Sequence, residues 1–238
     1  MQGGFITMVG MVAGVLGTGL GATAAFLFKR DDPKVLSFLL NFAAALMIAV
    51  VCFDLLPEAI QLHSLPAAVL GLIAGALGIM VLDILTRGEG DGFLHMGYMM
   101  LLGIAAHNFP EGLAIGAGYA HAPAMGLSLA LLIAIHDVPE GMAIGIPLKK
   151  GRVSFLRVLG YGALSGAPTG VGALIGYLAG SVSPLQISLC MGIAGGAMLY
   201  LTLTQLIPKA HTLYGGPIGA LGLLLGLIVG TGVSVMLT

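Results

Sequence analysis

Two short segments carry most of the chemistry available to this chain: HNFPEG at 107–112 and HDVPEG at 136–141. They sit in longer matching stretches, 105–118 and 134–147, related by an offset of 29 residues. His107, Pro110, Glu111 and Gly112 recur as His136, Pro139, Glu140 and Gly141, and Asn108 recurs as Asp137. Histidine and glutamate stand at i and i+4 in each copy, a spacing that stacks both on one face of a helix. Both segments are embedded in strongly apolar sequence. Ionisable groups inside a bilayer are costly and face a partner, a cavity or an ion path. Two such faces turned together would offer two imidazoles and at least two carboxylates, donors suited to divalent transition metals. Core packing or one interhelical bond would explain a lone histidine or glutamate. The joint recurrence of His, Asn or Asp, and Glu favours metal binding.

The elements that must position these residues follow from composition. Of 238 residues, 58% are hydrophobic and only 8% charged, with a mean hydropathy of +1.07. Soluble domains carry about a quarter charged residues, so the expected fold class is all-α, a polytopic membrane protein in contact with lipid. A net charge of −1 gives no case for nucleic acid as a partner. With 39 glycines and no tryptophan, close helix packing through small residues is expected. Cys52 and Cys190 lie in apolar runs and read as small core residues. The first 28 residues lack a basic segment before the apolar run, so they read as a retained helix, not a secretory signal.

A spanning helix needs about 20 apolar residues. Eight spans are predicted, near 4–28, 35–62, 66–86, 94–120, 123–148, 154–180, 184–208 and 217–237. With that count all nine Lys and Arg fall on one side: Lys29, Arg30, Lys34, Arg87, Lys149, Lys150, Arg152, Arg157 and Lys209. The positive-inside rule makes that side cytoplasmic and puts both termini outside, in a cell (inner) membrane.

A second repeat runs at an offset of 151. Thr18, Met47, Leu55, Pro57 and Pro66 match Thr169, Met198, Leu206, Pro208 and Pro217 without a gap. Spans 1–3 and 6–8 therefore form a repeat, and an odd number of spans per copy makes it inverted. The expected organisation is one transporter domain over 1–238: repeat 1 at 1–90, a central helix pair at 91–150, and repeat 2 at 151–238. Inverted repeats around a polar mid-membrane site are a transporter signature. His107 and His136 lie near the middle of spans 4 and 5. Pro110 and Pro139 deprive the carbonyls of Ala106 and Ile135 of their usual partners, which would open the helices beside the site.

On the doubled motif and the eight spans, the chain resembles the ZIP (Zrt-, Irt-like) family of divalent metal transporters in its short prokaryotic form. The resemblance implies a 3+2+3 arrangement, metal between helices 4 and 5, a homodimer, and helices 1, 4, 5 and 6 moving past helices 2, 3, 7 and 8. It implies His107, Glu111, His136 and Glu140 as primary ligands, with Met47 approaching from helix 2; ordinary packing is the alternative for Met47. Asn108, Asp137 and the two glutamates match a second metal position. The family pattern SGLxEPxGA has a glutamate where this chain, in Ser165–Ala173, carries Thr169.

Asp54 and Glu58 repeat the i, i+4 spacing and read as a candidate entrance that concentrates cations, or as solvated helix-end charges. His63 and His121 are placed at the outer rim, His95 and His211 at the inner. The function expected is transport of Zn²⁺ into the cytoplasm, with direction resting on the resemblance alone. Fe²⁺, Mn²⁺, Co²⁺ and Cd²⁺ suit the same donors. A zinc-dependent intramembrane hydrolase and a metal-stapled structural protein are the competing readings.

Overall fold

The computed structural model describes residues 2–27, 32–86, 92–179 and 183–237, apart from the side chains at 121, 132, 136, 233 and 235–237. Among the described residues there is no strand, and the helices form eight rods. They are α1 (Gln2–Leu27), α2 (Pro33–Leu62), α3 (Leu65–Thr86), α4 (Gly92–His121), α5 (Pro123–Lys150), α6 (Phe155–Ala179), α7 (Pro184–Leu213) and α8 (Pro217–Leu237). Six of the rods are long and apolar enough to cross a membrane. α4, which carries His95, His107, Asn108 and Glu111, is not among them, and in α8 the apolar run counted is the shorter Pro217–Gly232. Proline starts four rods, where its missing N–H is one the first turn leaves unpaired in any case.

The 151-residue offset recurs in the backbone. α2 passes through a π-helical turn at Val51–Leu55, and α7 through one at Thr202–Leu206. Each precedes a proline, Pro57 or Pro208, whose ring would collide with the carbonyl four residues back in a regular helix. Widening to i→i+5 bonds, Leu56 N–H to Val51 O and Ile207 N–H to Thr202 O, relieves that clash. It also lets α7 continue to Leu213, beyond the end expected at 208.

Packing divides the rods into two bundles. α1, α4, α5 and α6 pack along their lengths on one another, as do α2 on α8 and α3 on α7, with α2 and α7 joining those two pairs. Contacts between the bundles are fewer, chiefly α4 on α7 and α2 on α5. Every one of these pairings maps onto itself or another when spans 1–3 are exchanged with 6–8 and span 4 with 5. Glycine sets the crossing distances inside the first bundle: a Cβ at Gly21 would lie on the Val138 carbonyl, and one at Gly145 on the Ala22 carbonyl. Lys149 lies over the Phe26 ring and donates to the Ala25 carbonyl, Phe26 stacks edge-on against Phe155, and Lys209 lies over Phe93. Lys34 is over Tyr214. These contacts gather the ends of α1, α5 and α7 and the starts of α2, α4 and α6 at one end of the molecule.

Candidate metal centre

The doubled motif lies near the middle of α4 and α5, and both helices run unbroken through Pro110 and Pro139. His107, Asn108, Asp137 and Glu140 are completely buried, and Glu111 nearly so. His107 Nε2 stands 3.0 Å from Glu111 Oε1, one turn along α4, and 3.5 Å from Glu140 Oε1 on α5. Asp137 faces both glutamates. One imidazole and three carboxylates from two helices therefore converge in the bundle interior. Among the described residues they do not form a ready-made cage of three ligands; the side chain of His136, the expected fourth primary donor, lies outside the described residues.

Helix α6 supplies the next layer. Asn108 Nδ2 donates to the Ser165 carbonyl at 2.8 Å, and a Cβ at Gly112 would meet the Thr169 carbonyl. Thr18 and Thr169, partners under the repeat, are both fully buried where α1 crosses α6. The Thr18 hydroxyl donates to the Gly14 carbonyl.

The remaining expected residues divide. Met47 is buried in the core that also holds Ala143 and Ile144 of α5, with the Thr202 hydroxyl 3.9 Å from its sulfur. Asp54 is half-buried and accepts a bond from Ser234 of α8 at 2.8 Å, so it is not a freely solvated helix-end charge; Glu58 beside it is exposed. His63 and His211 are exposed, and the side chain of His121 is outside the described residues. His95 is a correction. Expected at an exposed rim, it is instead half-buried, with Nε2 2.7 Å from Asp83 Oδ1. Cys52 is likewise exposed, not core.

Asp83 is a buried carboxylate that the i, i+4 spacing does not single out. Completely buried on α3, it also accepts from Tyr200 OH at 3.0 Å and from Gln205 Nε2 at 3.1 Å, both on α7. The signal was present: a carboxylate inside the apolar run VLDIL falls under the same intramembrane cost that singled out Glu111.

An all-helical membrane protein of two packed bundles, with a buried imidazole–carboxylate cluster inside one of them, is the build of a polytopic ion transporter. Residues 87–238 match the ZIP zinc transporter family. The chain is 34% identical to the zinc transporter ZupT of Chlorobium limicola, over 91% of this chain and 92% of the relative. Against ZupT of Xanthomonas axonopodis pv. citri it is 33% identical over 94% and 91%, and against that of Corynebacterium glutamicum 34% over 82% and 85%. The chain belongs to the ZIP family, and it is a multi-pass membrane transporter of divalent metal, not an enzyme.

Proposed function

We propose that this chain carries Zn²⁺ into the cytoplasm through a site between α4 and α5, with His107, Glu111, His136 and Glu140 as primary ligands. The observation that carries the reading is the burial of His107 between Glu111 and Glu140, with Asp137 facing both, near the middle of two long helices. Buried acidic groups that converge this way repel one another unless a cation joins them, and imidazole with carboxylate is a Zn²⁺ donor set. Met47 approaches from α2, and Asp54 with Glu58 concentrates cations at the outer mouth. The relatives named as zinc transporters supply the metal; Fe²⁺, Mn²⁺, Co²⁺ and Cd²⁺ are competitors for the same donors.

The sparse packing between the two bundles supports movement of α1, α4, α5 and α6 as one body past α2, α3, α7 and α8. The basic end, with Lys34, Lys149 and Lys209, faces the cytoplasm, both termini lie outside, and the chain works as a homodimer in lipid. Uptake of radioactive Zn²⁺ into liposomes holding the purified protein tests the function. The parent should fill the vesicles, while Glu111→Ala and Glu140→Ala should not, although both still reach the membrane folded. Uptake by either variant at the parent rate would remove the α4–α5 site from the path.

A further inference from the structure

The two bundles are joined at one end of the molecule far more than at the other. Met96, Met100 and Ile104 of α4 and Ile144 of α5 share one core with Met47 of α2 and Leu201 of α7. All four residues from the first bundle lie between the doubled motif and the basic end. The other core, built on Ile6, Ala13, Ile115, Ala130 and Ala173, draws on α1, α4, α5 and α6 alone. Matched positions show the same imbalance. Under the 29-residue offset, Met96 and Met99 of α4 correspond to Met125 and Ser128 of α5. The first two are buried and the second two exposed, with Met96 at 0% and Met125 at 49%. Two methionines in equivalent places differ because only one end is packed. In an inverted-repeat protein, exchange of the repeats describes the opposite state, in which Met125 is packed and Met96 is open.

The packed end also carries a polar bond between the bundles. His95 Nε2, on α4, stands 2.7 Å from Oδ1 of Asp83, which is buried on α3, while Tyr200 and Gln205 tie the same carboxylate to α7. Under the 151-residue offset, Asp83 and Gln205 correspond to Ser234 and Asp54, and those two are bonded at 2.8 Å. Each end therefore keeps a polar pair within the bundle of α2, α3, α7 and α8. The residue that reaches across does not recur. His95 corresponds to Ala124, and Tyr200 to Ala49, and alanine has no side-chain donor. A hydrogen bond to a buried carboxylate is stronger than one between neutral groups, so it favours the state in which it is made.

We propose that His95 is a positioning residue of the transport cycle: its bond to Asp83 latches the bundle of α1, α4, α5 and α6 against α3 and α7 and holds the basic end shut. The opposite end has no equivalent latch, so the metal-free chain rests in the state that opens away from the basic end. The inference rests on the bundle movement in the transport reading above.

The test is the rate of thiol labelling in the purified chain, held in lipid nanodiscs without metal, in a background lacking Cys52 and Cys190. Met96→Cys and Met125→Cys report the two ends, and both lie close to the start of their helices. Ile115→Cys, buried within one bundle, is the control. With the latch intact, Met125→Cys should label quickly and Met96→Cys slowly. Adding His95→Ala removes a bond to a charged group and should raise the Met96→Cys rate roughly tenfold or more. The Met125→Cys rate should fall at the same time, and Ile115→Cys should stay slow. His95→Gln, which keeps an N–H for the carboxylate, should stay near the parent. Unchanged rates in His95→Ala would overturn the latch, and so would faster labelling at all three positions, which is the mark of a loosened fold. Because labelling is read without metal and uptake with it, a failed latch leaves the Zn²⁺ uptake of the parent standing. A parent that takes up no Zn²⁺ while the two ends still label reciprocally overturns the transport reading and supports the latch.

Discussion

Glu140→Gln separates a metal ligand from a structural ion pair, because the two roles predict stability changes that differ in size. Glu140 and Glu111 approach the same nitrogen of His107 at 3.5 and 3.0 Å, so those carboxylate oxygens are at most 6.5 Å apart, the sum of the two distances. At that separation and an effective dielectric constant of about 20, two ionised carboxylates repel by about 2.5 kcal/mol. Removal of one charge at constant shape relieves this repulsion, so the metal-free variant should be at least as stable as the parent. Breaking a buried ion pair that held the fold together would cost about 3–5 kcal/mol, a fall of roughly 10 °C in Tm for a chain of this size.

The response to metal should differ in the opposite sense. Zn²⁺ at about a hundred times its Kd stabilises the parent by about 2.7 kcal/mol. Even outer partners of metal ligands are worth 10–100-fold in affinity, so losing a direct ligand should weaken binding by about 100-fold or more. The Zn²⁺ stabilisation of Glu140→Gln then falls to about 0.4 kcal/mol, a shift of roughly 1 °C. Loss of monodispersity on heating, followed by gel filtration with and without Zn²⁺, measures both quantities. A variant whose metal-free Tm drops by about 10 °C, or one that keeps the parent's Zn²⁺ shift, would refute the reasoning.

Gly145→Leu should prevent stable packing of α5 on α1, since even a Cβ there meets the Ala22 backbone, while Gly78→Leu, where a Cβ meets nothing within 4 Å, should leave expression and thermal stability near the parent. Asp83→Ala leaves His95, Tyr200 and Gln205 without their shared acceptor and should lower stability by about 2–4 kcal/mol, read by thermal aggregation; Asp83→Asn, which keeps an acceptor oxygen, should lose less. In a background without Cys52 and Cys190, a cysteine at Gly151 should resist an impermeant thiol reagent added outside intact cells. Rapid labelling there would invert the topology.

The sequence by itself determined the helical membrane class, the number of rods, and the two polar faces at mid-helix. Each of these is a local property: hydropathy summed over some 20 residues sets a span, and i, i+4 spacing sets a face. Even the inverted repeat was legible, because the 151-residue register survives in Pro57 and Pro208. What the chain does at those prolines was not legible. A kink, a break and a π-helical turn all relieve the same clash, and neighbouring helices decide among them. Tertiary structure alone decided which donors meet. Asn108 finds Ser165 across 57 residues, and Asp83 finds Tyr200 and Gln205 across 117 and 122. His95 illustrates the difference. Its place near the start of α4 resembles that of any rim histidine, and only the packing of α4 against α3 and α7 puts it on a buried carboxylate. Polar side chains in an apolar interior must pair, but sequence spacing names their partners only within a helix; between helices, the crossing geometry set by contacts such as Gly145 on Ala22 makes that choice.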